Sequence, residues 1–251
     1  MSVTLSDQDL TRFARHIVLK EIGGAGQARL RASHVVVIGA GGIGSPALQY
    51  LLAAGIGRIT IVDDDVVDLS NLQRQTLFGM ADIGADKVDA AAAALARIDP
   101  AVTVDRRSVR ITANNVEEVL AQADAILDGS DNFATRLAVA DAARAARIPL
   151  VSAAVTQFEG QLGVYRGWET DKPCYRCFVG DAPDRDGVSC AEVGVLGAMA
   201  GVLGSLAALE VIRAIVPFGE DSAGKLLLAD ALSLRFRTIA LPKDPGCGCS
   251  G

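Results

Sequence analysis

The chain has 251 residues, 50% hydrophobic and 22% charged, enough for one large α/β domain with a sizeable core and without need of a second. A formal net charge of −6 with no long basic run argues against nucleic acid or an anionic membrane surface as partner, so any phosphate site must be locally basic. The N-terminal MSVTLSDQDL lacks a signal-peptide pattern, which predicts a reducing cytoplasm, and five cysteines there point to metal or reactivity in place of disulfides.

Leu5 to Leu30 reads as two helices: DQDLTRFARHIVLK, with Ser6 as candidate cap, and a second after a Gly23-Gly24-Ala25-Gly26 break. Arg12 and Arg15 are three apart and share a face, which by itself reads as a solvated face. His16 reads as a surface or core residue. His34 to Asp65 is the informative stretch. Val35 to Ile38 is a β-branched run suited to a strand buried on both faces, and Gly39, Gly41, Gly42 and Gly44 follow at once. Such glycines let the backbone approach a phosphate, which the free N–H groups and positive dipole end of a helix through Leu48, Leu51 and Leu52 would hold. Arg58 to Val62 is the next strand. Asp63 ends it, about twenty residues after the last glycine, where an acid accepts hydrogen bonds from ribose hydroxyls. This predicts a nucleotide and leaves its identity open.

The following loop, VDLSNLQRQTLFGMADIGADK, is longer than a crossover needs. Asn71 and Arg74 can reach back over the glycine turn, and Lys87 at the start of an alanine-rich helix adds a second positive charge. An Arg and a Lys suit a triphosphate with its magnesium better than a pyrophosphate held by backbone, although each alone could be an exposed charge. A third strand is expected at Ala101–Val104 and a short helix capped by Asn114. The strand DAILD ends in Asp128-Gly129-Ser130-Asp131-Asn132, where Asp131 is placed to bind magnesium, to cap the next helix, or both. Pro149 to Ala153 closes the parallel part. GQLGVYR, KLLLAD and LRFRTIAL then follow without crossover helices and are expected to pair antiparallel. Cys174 and Cys177 form one close pair and Cys247 and Cys249 another, which reads as a four-thiolate zinc site, with disulfides the alternative. Val193–Val216 is expected as a buried helix, with Gly194, Gly197, Gly201 and Gly204 giving one side a close approach to another element or to a partner subunit's helix.

The ordered set GAGGIG, VDDD, SNLQRQ, DNFATR, GQL, CYRC, GVLG and a terminal cysteine pair resembles the MoeB/ThiF (HesA) adenylyltransferases, bacterial relatives of the ubiquitin-activating enzymes, over almost the whole chain. The resemblance implies a Rossmann-like parallel sheet extended by antiparallel strands in the C-terminal part: N-terminal helices at 1–33, a nucleotide-binding half at 34–155, and a carrier-binding and zinc half at 156–251. It implies ATP ribose on Asp63, phosphates on Asn71, Arg74 and Lys87, magnesium on Asp131, and Arg15 reaching into the other subunit's site in a homodimer, which replaces the solvated reading of that helix. The implied activity is adenylation of the C-terminal glycine of a ubiquitin-like sulfur carrier ending in Gly-Gly, with sulfur supplied by a separate donor protein. Two departures stand out. The closing cysteines are C-x-C where the family has C-x-x-C, and Cys190 lies where ThiF-type members carry a cysteine that can join the carrier. DALSLRFRTIALPKDPGC looks more like the molybdopterin branch than the thiamine one. A nicotinamide-dependent oxidoreductase would leave Asn71, Arg74, Lys87 and the four cysteines without work, and a non-catalytic carrier-binding scaffold would not need every ATP position filled.

Overall fold

The structure, a computed structural model, describes residues 4–181 and 194–249. Five strands run parallel: β1 (His34–Ile38), β2 (Arg58–Val62), β3 (Thr103–Arg107), β4 (Ala125–Asp128) and β5 (Leu150–Thr156). Three more, β6 (Glu159–Tyr165), β7 (Lys225–Asp230) and β8 (Arg235–Ala240), add antiparallel. They make one eight-stranded sheet in the order β3-β2-β1-β4-β5-β6-β7-β8. The expected α/β class and the antiparallel extension are both present.

Every residue of β1 is buried, because both faces of the sheet are covered. Val35 and Val37 enter a core shared with α4 (Gly44–Ala53) and α9 (Gly197–Ile215), through Leu48, Leu51 and Leu203. Val36 and Ile38 enter the core on the opposite face, with Val116 and Leu120 of α6 (Val116–Leu120) and Val139 of α7 (Phe133–Ala146). This is strand alternation with an apolar partner on each side.

Several boundaries differ from the sequence reading. The first helix is capped by Ser6, whose hydroxyl accepts the Asp9 N–H at 3.1 Å. It breaks at Phe13 into α1 (Asp7–Arg12) and α2 (Ala14–Ile17), because the Phe13 ring is drawn inward beneath the Arg12 and Arg31 guanidinium groups. The glycines expected to separate the helices instead begin α3 (Gly23–Ala32), where Gly26 lies too close to Val216 for a side chain. Strand β3 starts two residues later than expected. Asn115, not Asn114, precedes α6, and its side chain does not cap the helix but accepts the Thr112 N–H at 2.9 Å. Asn132, not Asp131, caps α7 by accepting the Thr135 N–H at 2.9 Å. Of the four glycines assigned to one face of α9, only Gly197 and Gly204 make close approaches. A Cβ on them would lie 2.1 Å from the Gln73 carbonyl oxygen and 2.4 Å from that of Ile43, so these contacts are within the chain. Gly201 faces open space, and Gly194 precedes the helix.

By length and composition α9 could cross a membrane. Here it packs on α4, β5 and β6 as a core helix.

Strand order reverses at β1, which has β2 on one side and β4 on the other. The chain therefore leaves an uncovered crevice at the carboxyl ends of these strands. The turn between β1 and α4 is closed by two glycines. Gly39 has φ +86°, a conformation costly for other residues, and a Cβ on Gly44 would sit 1.9 Å from the Gly39 carbonyl oxygen. Gly44→Ala is expected to lower stability by about 2 kcal/mol or more, measured by urea unfolding; an unchanged midpoint would mean that the turn relaxes freely.

Candidate functional site

The crevice encloses about 1600 Å³ and is floored by Gly39, Gly41 and Gly42. No side chain caps α4, and because the Ser45 N–H is taken by the Gly41 carbonyl at 2.8 Å, it is the N–H groups of the turn at Gly41 and Gly42 that are left for an anion. Arg74 lies across Gly42, where a Cβ would be 3.6 Å from the Arg74 Cγ, and a larger residue would lift the arginine away. Gly44, expected to bind nucleotide, is not part of the lining; it lets α4 pass beneath the Gly39 carbonyl.

Asp63 stands at the end of β2. One carboxylate oxygen accepts the Ala40 N–H at 2.7 Å and the other the Asp65 N–H at 2.9 Å, which locks the acid to the glycine turn. Burial pushes its pKa up, opposed by the nearby Lys87 ammonium and these two N–H groups. Lys87, the first residue of α5 (Lys87–Ala96), is buried, yet its Nζ pairs with Asp65 at 2.8 Å. Asp64 pairs separately with Arg110 at 3.0 Å. The three consecutive acids thus have different partners.

Asn71 closes a short 3-10 turn, Leu69–Asn71, in which its Oδ1 accepts the Asp68 N–H at 3.3 Å. Arg74 donates to the Ser70 carbonyl at 3.0 Å, leaving most of its donors unused. Asp131 is exposed on the loop after β4 and, among the described residues, has no hydrogen bond or ion pair; it lines the crevice from the side opposite β2. Residues expected to act together are therefore brought together: Asp63, Asn71, Arg74, Lys87 and Asp131 share one crevice.

Arg15 does not line this crevice. It is exposed on α2. The neighbouring His16 anchors that turn, its Nδ1 lying 3.1 Å from Oε1 of the buried Gln27. Cys190 lies outside the described residues.

Two further polar residues escaped the sequence reading. Gln75, 3% exposed, lines the crevice, and among the described residues its Oε1 has no partner. Arg136, in the fourth position of α7, is almost wholly buried. Its position was legible: it shares a helical face with Val139, Ala140 and Ala143, all core residues, so a charge there had to find buried partners.

The cysteines form a second centre. Cys174 and Cys177 flank the first turn of α8 (Tyr175–Val179), and the C-terminal tail brings in Cys247 and Cys249. The Sγ separations are 3.8 Å for Cys174 and Cys177, 3.6 Å for Cys174 and Cys247, and 3.4 Å for Cys177 and Cys249, and all four Sγ atoms lie within 4.8 Å of one another. Four thiolates set tetrahedrally at 2.3 Å from one ion would be about 3.8 Å apart. The one-residue spacing of the closing pair is no obstacle, since both of its thiols reach the same point. Burial raises the Cys174 and Cys247 thiols; at Cys249 burial is outweighed by hydrogen bonds from its three neighbours, and its pKa falls to about 7.

Residues 13–249 match the ThiF family. The chain belongs to the ThiF family. It is 42% identical over 252 residues to the SAMP-activating enzyme E1 of Haloferax volcanii, spanning 100% of this chain and 92% of that protein. It is also 42% identical over 248 residues to the sulfur carrier protein adenylyltransferase of Thermus thermophilus, spanning 97% and 92%. Among solved structures, the microcin C7 biosynthetic enzyme MccB in complex with N-formylated MccA superposes with a TM-score of 0.84 at 21% identity, over 98% of this chain and 77% of that one. At that identity the likeness shows the fold alone, a Rossmann-like sheet common to this ThiF chain and MccB.

Because the folded-state pKa of Asp63 is raised, the folded protein holds a proton that the unfolded chain has already lost. The contribution of Asp63 to stability is thus full below the ordinary carboxylate range and is lost as pH rises through the raised value. Urea unfolding between pH 4 and 7 is expected to show the parent losing stability relative to Asp63→Asn as pH rises; parallel curves would place the acid in a water-like environment.

Proposed function

We propose that this ThiF-family chain is an ATP-dependent adenylyltransferase that activates the C-terminal glycine of a ubiquitin-like sulfur carrier ending in Gly-Gly. The observation that carries the reading is the convergence of Arg74, Lys87, Asn71 and Asp131, from separate loops and a helix start, on the glycine-floored crevice. The name of the Thermus thermophilus relative supports the activity and the class of substrate.

A carboxylate is a weak nucleophile and ATP is crowded with negative charge, so the protein's work is positioning and charge neutralisation. Asp63 holds the ribose hydroxyls. The glycine turn and the start of α4 receive phosphate oxygens. Arg74 and Lys87 stabilise charge as the carrier's terminal carboxylate attacks the α-phosphorus and the bond to pyrophosphate breaks, leaving a carrier acyl-adenylate. Lys87 is neutralised by Asp65 in the resting chain and exchanges that partner for phosphate. Magnesium, held through Asp131, would shield the leaving pyrophosphate. Sulfur from a separate donor protein then displaces AMP from the activated carbonyl. The reading places the chain in a reducing cytoplasm, where the four gathered thiols stay available to zinc. The carrier is assigned to the molybdopterin type on the character of residues 230–247, with a thiamine-type carrier the alternative that a binding panel would separate.

Labelled pyrophosphate exchange into ATP is expected to require the carrier and magnesium, and to fall on the order of a hundredfold in Asp131→Ala. Full-rate exchange in that variant would remove Asp131 from the reaction.

Arg15, exposed and outside its own crevice, is assigned to the partner's site in a homodimer. Mixing inactive Arg15→Ala and Asp131→Ala chains is expected to restore exchange, since a two-fold heterodimer carries one site with both residues. Absence of recovery with proven subunit exchange would refute the shared site.

Zinc is assigned to Cys174, Cys177, Cys247 and Cys249, at about one per chain, in a structural role because four thiolates leave no open position. Cys247→Ser should lose zinc and melt lower; unchanged zinc content would overturn the assignment.

A further inference from the structure

The three acids that follow β2 send their charges in different directions. Asp63 accepts the Ala40 N–H of the glycine turn, Asp65 pairs with Lys87, and the Oδ2 of Asp64 meets the Nε of Arg110 at 3.0 Å. Lys87, together with Arg74 lying across Gly42, marks the phosphate side of Asp63. Arg110 comes from elsewhere, the segment that follows β3, and lines the same crevice together with Val109 and Ile111.

This part of the crevice is apolar, with a cation at its rim. Ile38, Val62 and Ile111 are buried, belong to one core cluster and line the crevice, and Val109, 41% exposed, adds an apolar edge. The Arg110 side chain is 68% exposed, and its hydrogen bond to Asp64 is donated by Nε, which leaves the guanidinium plane largely open. The backbone beneath it is fixed from the start of α6. Asn115 donates from Nδ2 to the Arg110 carbonyl at 2.9 Å and accepts the Thr112 N–H at 2.9 Å. Arg110 is therefore held at its backbone and at Nε while its plane stays free.

We infer that Arg110 is a base-binding residue, whose guanidinium stacks on one face of the nucleotide's purine while the other face rests on Ile38, Val62 and Ile111. This rests on the nucleotide reading above, in which Asp63 holds the ribose. A ribose there has its phosphates drawn toward Gly42, Arg74 and Lys87. The glycosidic bond then carries the base to the ribose's other side, where the crevice offers Val109, Arg110 and Ile111. A purine is planar with apolar faces, so it gains from apolar burial on one side and from a planar, delocalised cation on the other. Asp64 prepares that cation, because anchoring Nε removes rotamer freedom that stacking would otherwise have to remove. The contact touches the base and no reacting atom, so it governs nucleotide affinity and not the rate of the chemical step.

Titration calorimetry on the full-length chain with magnesium separates base from phosphate with two probes, ATP and inorganic tripolyphosphate. It is run in about 0.15 M salt, which screens charges more than about 8 Å apart. Arg110→Ala is expected to weaken ATP about fivefold, the scale of a cation on an aromatic face at a partly exposed site, and to leave tripolyphosphate unchanged. Arg110→Lys should recover little of the loss, since an ammonium keeps the charge and has no plane. In labelled pyrophosphate exchange both variants should raise the KM for ATP and keep kcat. Arg74→Ala is the opposite control and should weaken both probes. Unchanged ATP affinity in Arg110→Ala, full recovery in Arg110→Lys, or an equal loss of tripolyphosphate affinity would each overturn the assignment, the last two by reducing Arg110 to a plain charge. A parent chain that binds neither probe would bring down the nucleotide reading itself, whereas tight ATP binding that Arg110→Ala leaves untouched would bring down Arg110 alone.

Discussion

The whole site depends on how closely α4 can follow β1. A parallel strand leaving the sheet has to turn back over it within a few residues, and at this turn the Gly44 α-carbon passes so near the Gly39 carbonyl that no side chain fits. That passage aims the start of α4 at the point where strand order reverses, so partial positive charge and open space coincide. Asp63 then fastens the second strand to the same turn through the Ala40 N–H. Glycine floor, helix terminus and Asp63 are therefore tied into one unit.

Around that unit the chain distributes charge against its own net value. The protein is acidic overall, yet Arg74 and Lys87 face the crevice, each already engaged by weak or exposed partners: a carbonyl for the arginine and the exposed Asp65 for the lysine. A buried ammonium without any partner would lose its proton or destabilise the fold. Pairing it with a solvent-accessible carboxylate offsets that cost and leaves the partner exchangeable. Asp131 is the reverse case: it is exposed and, among the described residues, has no hydrogen bond or ion pair.

The antiparallel half serves the parallel half in two ways. Its long helix α9 presses two glycines against the Gln73 and Ile43 carbonyls, supporting the loop that carries Arg74 and the start of α4 from behind. Its cysteines draw the C-terminal tail onto α8, which lies against α7, the helix that begins immediately after the Asp131 loop. The two centres are separate in chemistry and adjacent in packing.

Local pattern alone determined the strand–glycine–helix–strand–acid unit, the antiparallel tail and the two cysteine pairs, because each is written in spacing that backbone geometry enforces. Motif resemblance supplied the assignment of Asn71, Arg74, Lys87 and Asp131 to one nucleotide. Only the tertiary structure decided that Asn132 and not Asp131 caps α7, since either side chain could accept the free N–H groups until the loop's path was fixed. It decided too that the C-x-C pair meets Cys174 and Cys177, because the path of the tail, not the spacing within it, sets where those sulfurs arrive. Gln75 was invisible for the same reason, while of Arg136 the sequence showed only that its helical face is buried; the polar atoms that meet its charge, the Ser152 hydroxyl and the Ala153 carbonyl of β5, only the tertiary structure brought there.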